Sequence, residues 1–129
     1  MLALDFGSAR TGVAVSDPTG TIARPLGVVE RAATPDGLKR LAELIEAEAP
    51  ERVVVGLPLT LRGERGEQAL ETERFVEQLR LATGRPVETF DERFTTDLAA
   101  QTPSATSEDA RAAAHLLTSY LTWSSGVRG

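Results

Sequence analysis

The chain has 129 residues, of which 41% are hydrophobic, and contains no cysteine. This composition supplies one apolar core, so we predict a single domain over residues 1–123 and a short flexible tail over residues 124–129. A net charge of -5 argues against a broadly basic nucleic-acid coat protein, and the missing cysteines exclude disulfides and thiolate metal sites. Neither a membrane-spanning stretch nor a signal peptide is visible, so we expect a cytoplasmic protein with no membrane contact.

The first thirty residues predict three short strands. Residues 2–5 and 12–16 are β-prone apolar runs joined by a turn that contains glycine, and residues 26–29 follow a polar reversal that begins at Asp17. The connections are short, so we predict an antiparallel meander. Asp17 precedes a proline and is interpreted as a turn-forming residue.

The rest of the chain alternates helical and strand patterns. Thr34 and Pro35 open a helix, and an apolar run at residues 52–56 predicts a strand buried on both faces. The later predicted elements are a helix over residues 67–82, a strand over 86–90, a short helix from Thr95, a polar loop over 101–107 and a final helix over 107–123. Helical crossovers imply parallel strands, so we predict an α/β fold with a mixed central five-stranded sheet flanked by helices.

Acidic residues follow two of the predicted strands and begin the final helix. Asp5 ends the first strand, the pair Asp91 and Glu92 ends the last strand, and Asp109 lies in the first turn of the final helix. Loops and helix N-termini converge at the carboxyl ends of parallel strands, so these carboxylates are expected to meet there. Carboxylates on separate elements are suited to Mg²⁺ or Mn²⁺, which can support phosphoryl transfer.

Some of these acids have other interpretations. Asp109 follows Ser107 and could serve only as a favourable charge at a helix N-terminus. Neighbouring residues in extended chain point in opposite directions, so only one of Asp91 and Glu92 is expected to face the site. We choose Glu92 and keep Asp91 as the alternative acid.

Four segments together resemble the YqgF/RuvX family of Holliday-junction-resolvase-like nucleases. They are residues 4–17 (LDFGSARTGVAVSD), 54–59 (VVGLPL), 91–96 (DERFTT) and 109–121 (DARAAAHLLTSYL). The resemblance implies a ribonuclease H-like fold, a bacterial cytoplasmic protein and metal-dependent hydrolysis of phosphodiester bonds. Members of the family are associated with branched DNA junctions and with the ends of precursor 16S ribosomal RNA.

The resemblance also implies roles for particular residues. Asp5, Glu92 and Asp109 would be the catalytic metal ligands for Mg²⁺ or Mn²⁺, and Arg10 and Arg93 would contact phosphate. A resolvase that cuts a four-way junction symmetrically needs two active sites and hence a twofold dimer, whereas an RNA-processing enzyme does not.

The chain departs from the family at the loop before the final helix. Many members carry a Lys/Arg-rich loop there, but residues 101–108 read QTPSATSE and contain no cation. We expect Arg62 and Arg65, in the loop that follows the buried strand, to supply contacts to the nucleic-acid backbone instead. Binding should then be weaker and more sensitive to salt, or should depend on a partner.

Two other classes of function are also consistent with the sequence. A catalytically silent nucleic-acid-binding module would bind without cleaving, with the acids kept for stability. The turn that contains Asp5 also resembles the phosphate loop of actin-like and sugar-kinase ATP-binding proteins, although those proteins enclose their nucleotide between two such domains.

Overall fold

The computed structural model describes residues 1–17, 19, 22–60, 62–92 and 108–128. Arg93 and the short helix predicted from Thr95 lie outside this range. The elements of the described chain, in order, are β1 (Leu2–Asp5), β2 (Arg10–Ser16), β3 (Ala23–Glu30), α1 (Pro35–Glu48), β4 (Val53–Leu57), α2 (Glu67–Thr83), β5 (Val87–Asp91) and α3 (Glu108–Arg128). None of these helices is long and apolar enough to cross a membrane.

The five strands form one mixed sheet in the order β3-β2-β1-β4-β5. Strands β1, β2 and β3 are antiparallel neighbours, as expected for a meander with short turns. Strands β1, β4 and β5 run parallel, because helical crossovers return the chain to the same edge of the sheet. The predicted mixed five-stranded sheet is therefore confirmed.

The sheet has a separate apolar core on each face. Leu4 and Val55 belong to the face that packs against α1 and α2, and the alternate residues Ala3 and Val54 belong to the face covered by α3. This alternation follows from the two-residue period of a strand. The inward face predicted for the final helix is buried, and its members are Ala110, Ala113, Ala114, Leu117 and Leu121.

Strand β2 begins two residues earlier than predicted, at Arg10, and strand β3 and helix α3 exceed their predicted lengths the most. Strand β3 runs from Ala23 to Glu30 and includes Pro25, which is compatible with an edge strand because its missing N–H is not required by a further neighbour. Helix α3 continues past Trp123 to Arg128, so most of the predicted tail is helical backbone. Extending an existing helix adds a hydrogen bond for each residue ordered, which outweighs the weak propensity of serine and glycine.

Helix α3 begins directly against the middle of the sheet at Gly12. A Cβ atom at Gly12 would lie 1.9 Å from the backbone oxygen of Asp109. Glycine at this position therefore permits the close approach that brings the first turn of α3 to the end of β1. The pairing of Asp5 with Gly12 places this contact next to the first acidic residue.

The packing at Gly12 predicts a large effect of a single methyl group. We expect Gly12→Ala to lower the free energy of unfolding by about 2–3 kcal/mol, because backbone cannot move aside as readily as a side chain. Gly27→Ala in β3 is the matched control, since a Cβ there meets nothing within 4 Å. Urea denaturation measures both variants. Equal stabilities of the two variants would contradict the close packing of α3 on Gly12.

Candidate active site

Three acidic residues lie at the carboxyl edge of the parallel strands. Asp5 is the last residue of β1, Glu92 directly follows β5, and Asp109 is the second residue of α3. Strand β4 separates β1 from β5 in the sheet, so the Glu92 side chain reaches toward Asp5 across a whole strand. The structure thus places the three acids predicted from the sequence at one edge of the sheet, with Asp5 and Glu92 in contact and Asp109 near enough for its charge to act on Asp5.

Asp5 and Glu92 form a hydrogen bond between their carboxyl groups. The pKa of Glu92 is raised to about 7, mainly by burial and to a smaller extent by the charge of Asp5, the hydrogen bond to Asp5 and the charge of Asp91. Burial also raises the pKa of Asp5, an effect to which Asp109 adds and which the hydrogen bond from Glu92 opposes. The two carboxyls therefore share one proton, with Glu92 as the donor.

Asp109 is close enough to repel Asp5, yet it also has a partner of its own. The Nε atom of Arg10 lies 3.1 Å from Oδ2 of Asp109, and the side chains are 64% and 36% exposed. An ion pair with this much solvent contact is weak and can exchange for other partners. Arg10 thus lies at the acidic site, where the sequence predicted a phosphate contact, and here it contacts a carboxylate.

The donor atoms at this edge are suited to a hard divalent cation. Asp5 and Glu92 offer carboxylate oxygens in a partly buried setting where a positive charge would relieve their repulsion. In the part of the chain that the structure describes, no three acidic or histidine side chains converge as they would around a single ion. Asp5 and Glu92 are placed to hold a cation together once the proton between them leaves, and Asp109 could join them after exchanging its contact with Arg10.

Asp91 faces a different part of the molecule. It is paired with Leu57 in the sheet and lines a groove with Phe90 and Trp123, whereas the cavity beside Asp5 is lined by Glu92. The geometry therefore agrees with the choice of Glu92 as the acid that approaches Asp5. Asp91 still acts on the site, because its charge contributes to the raised pKa of Glu92.

The other arginines predicted to contact phosphate differ in their surroundings. Arg62 is exposed in the loop between β4 and α2. Arg65 lies in the same loop and forms an ion pair with Glu73 of α2, with 3.5 Å between Nη2 and Oε2. Contact of these arginines with nucleic acid stays a prediction, as does the role of Arg93.

A cavity of about 160 Å³ adjoins Asp5 and Glu92 and includes residues that the sequence analysis missed. Gln68, Glu71 and Thr72, all near the start of α2, line its other wall. Thr72 is buried and donates to the backbone oxygen of Gln68, at 2.8 Å. The sequence did contain a signal for these residues. Helix α2 follows the loop that leaves the carboxyl end of β4, and helix N-termini and ligands meet at that end of a parallel sheet.

Comparison with solved structures identifies the fold. The structure resembles that of RuvC from Thermus thermophilus with a TM-score of 0.61 and 20% identity, covering 98% of this chain and 97% of that one. The structure of T. thermophilus RuvC in complex with a Holliday junction substrate matches with a TM-score of 0.59. The ribonuclease H-like fold that the sequence predicted is confirmed.

The sequence comparison identifies the family. The profile described as RuvX, Holliday junction resolvase, matches residues 1–123, and the chain belongs to this family. A relative from Chloroflexus aurantiacus, provisionally named a pre-16S rRNA nuclease, is 46% identical over 101 residues, which are 78% of this chain and 66% of that protein. A relative of the same name from Sulfurihydrogenibium is 39% identical over 94% of this chain and 88% of its own length. The match to the Chloroflexus protein thus spans just under two thirds of that protein.

The shared proton predicts how stability depends on pH in the metal-free protein. The folded state holds a proton on Glu92 up to about pH 7, whereas the unfolded chain loses it near 4.5. Stability therefore falls as pH rises through this window, because the folded state binds more protons. We expect Glu92→Gln to be more stable than wild type by about 1–2 kcal/mol at pH 8, a value reduced for partial solvent exposure, and equally stable near pH 4.

Urea denaturation in EDTA at several pH values measures this effect. Glu43→Gln is the control, because Glu43 is exposed on α1. Equal stability of Glu92→Gln and wild type at pH 8 would show that Asp5 and Glu92 do not oppose each other.

Proposed function

We propose that this protein is a divalent-metal-dependent endonuclease that hydrolyses phosphodiester bonds in structured nucleic acid. The observation that carries the proposal is the partly buried Asp5–Glu92 carboxyl pair beside Asp109. Crowded carboxylates with raised pKa values are typical of functional sites, because a structural role would favour a cationic partner. Membership of the RuvX family supports the same chemistry.

Each acidic residue has a defined task in this proposal. Mg²⁺ or Mn²⁺, when bound, would activate water and offset the charge that builds up on the phosphate. Asp5 and Glu92 would hold the cation once their shared proton leaves. Asp109 would complete the ligand set, and Arg10, released from Asp109, would be free to contact a phosphate oxygen.

Two substrates are consistent with the relatives, and both are proposals for this chain. The family description names Holliday junctions, and the relatives are named for the 16S ribosomal RNA precursor. We propose processing of the precursor's 5′ end, resolution of junctions, or both, in the bacterial cytoplasm. Junction resolution would also require a homodimer, because two strands are cut symmetrically.

A catalytically silent binding module is the second candidate, and one observation favours it. The ion pair between Arg10 and Asp109 occupies the third acid with a cationic side chain. A protein in which this pair persisted would bind nucleic acid without assembling a complete metal site. The ATP-binding alternative has no comparable support, because the family match covers residues 1–123.

Asp5→Asn tests the proposed nuclease directly. We expect the rate of cleavage to fall more than 100-fold, because changing residues that merely support a metal ligand already costs about 10- to 100-fold. The assay uses an end-labelled four-way DNA junction and a precursor 16S rRNA fragment, each with Mg²⁺, Mn²⁺ or EDTA. Glu43→Gln is the control and should cleave like wild type.

The outcomes of this assay separate the candidates. Cleavage that resists EDTA or survives Asp5→Asn would refute the proposed mechanism. Binding of either substrate without cleavage in both metals would support the silent module. The substrate that wild type prefers decides between resolution and RNA processing.

Arg10→Gln tests the proposed exchange at Asp109. Removing the guanidinium frees the Asp109 carboxylate and takes one positive charge away from the site. Mn²⁺ should therefore bind about two- to fivefold more tightly, which is the range expected for an exposed ion pair. The KM for nucleic acid should rise, since a phosphate contact is lost. Titration calorimetry without nucleic acid measures the first effect, and steady-state cleavage measures the second. Unchanged Mn²⁺ affinity would show that Arg10 does not compete for Asp109.

A further inference from the structure

Gly56 lies in β4 directly between Asp5 and the strand that leads to Glu92. Leu4 of β1 pairs with Val55, so the next register position places Gly56 beside Asp5. On its other side Gly56 pairs with Phe90 of β5. Gly56 is thus the part of β4 over which any side chain from the end of β5 must pass to reach Asp5.

Glu92 takes this route. Adjacent strands lie about 4.8 Å apart, so the carboxyl groups of β1 and β5 start out roughly two such spacings from each other. The Glu92 side chain covers this gap by lying across Gly56 and hydrogen bonding to Asp5. The Glu92 side chain occupies the space that a side chain at position 56 would fill.

The contact involves the whole outer half of the Glu92 side chain. A Cβ atom at Gly56 would lie 2.7 Å from Oε1, 2.9 Å from Cγ and 3.2 Å from Cδ of Glu92. Rotating only the carboxyl group would leave the clash at Cγ in place. Relief requires the side chain to turn at its base, which carries the carboxyl group away from Asp5.

The backbone gives no separate reason for glycine at this position. The positive-φ glycines of the described chain are Gly63 and Gly84, so Gly56 has a conformation that alanine also adopts. Glycine inside a strand is less favourable than alanine, because it loses more conformational freedom on folding. The residues before it, Val53, Val54 and Val55, are completely buried, as a stable strand favours.

We propose that Gly56 is a positioning residue for the metal site, which leaves open the space through which Glu92 reaches Asp5. The proposal rests on the proposed function, because it assumes that Asp5 and Glu92 hold the cation together. Gly56 itself contacts neither metal nor substrate. It determines whether the two carboxylates can act on the same ion.

Gly56→Ala tests this role through metal binding. We expect the Mn²⁺ dissociation constant, measured by calorimetry without nucleic acid, to rise about 10- to 100-fold. The kcat for cleavage should fall, and the KM for nucleic acid should stay unchanged. Gly27→Ala, where a Cβ meets nothing within 4 Å, is the matched control and should bind Mn²⁺ like wild type.

A double-mutant cycle with Glu92→Ala separates positioning from a general structural role. If the added methyl acts through Glu92, then Gly56→Ala should cause no further loss of Mn²⁺ affinity or of thermal stability once Glu92 is alanine. Should Gly56→Ala alone fold poorly, the double variant should recover the melting temperature of Glu92→Ala. A double variant that is destabilised as strongly as Gly56→Ala would overturn the proposal.

Asp5→Asn in the same titrations distinguishes failure of this inference from failure of the proposed function. Wild-type Mn²⁺ binding that Asp5→Asn does not weaken would refute the metal site itself. Binding that Asp5→Asn abolishes but Gly56→Ala leaves intact would refute only the role of Gly56.

Discussion

The placement of three carboxylates at one edge of the sheet depends on free space on both sides of Asp5. Gly12 in β2 lets the start of α3 reach the sheet, and Gly56 in β4 leaves the path that Glu92 follows. Gly12 pairs with Asp5, and Gly56 follows the pair of Leu4 with Val55, one position further along the two strands. A side chain at either position would move one of the other two acids away, so the site depends on close approach of backbone as much as on the acids themselves.

This arrangement opposes folding, and the two apolar cores must compensate for it. Desolvation and like charge both raise the pKa values of Asp5 and Glu92, which means that the folded state disfavours their ionised forms. The strands that carry these acids nevertheless keep their positions, because their apolar residues are buried in the two cores, Leu4 and Val54 completely so. The crowding is thus imposed by the fold, and a bound cation would relieve it.

The opposite end of the sheet shows how the same chain treats an acid with a structural role. Arg52 donates to Glu88 at 3.2 Å and to the hydroxyl of Tyr120 at 2.9 Å, which links β5 to α3. Glu88 therefore has a cation and a hydroxyl as partners. Burial and neighbouring carboxylates raise the pKa values of Asp5 and Glu92, and neither residue has a cationic partner among these causes. This contrast with Glu88 supports a functional role for the Asp5–Glu92 pair.

The sequence by itself determined the order of the elements and the acids at their ends, because strand and helix periodicity, the cap at Thr34 and the position of Asp5 are local properties. It also indicated that only one of Asp91 and Glu92 faces the site, since neighbours in extended chain point to opposite sides, but the alternation did not by itself choose between them. The length of β3 and the continuation of α3 to Arg128 were not predicted, because an edge position and an already formed helix outweigh local propensity. Only the tertiary structure decided that Arg10 pairs with Asp109, that Glu71 lines the cavity beside Asp5 and that the Glu92 side chain lies over Gly56. Those contacts join residues distant in sequence, and sheet register and helix packing alone bring them together.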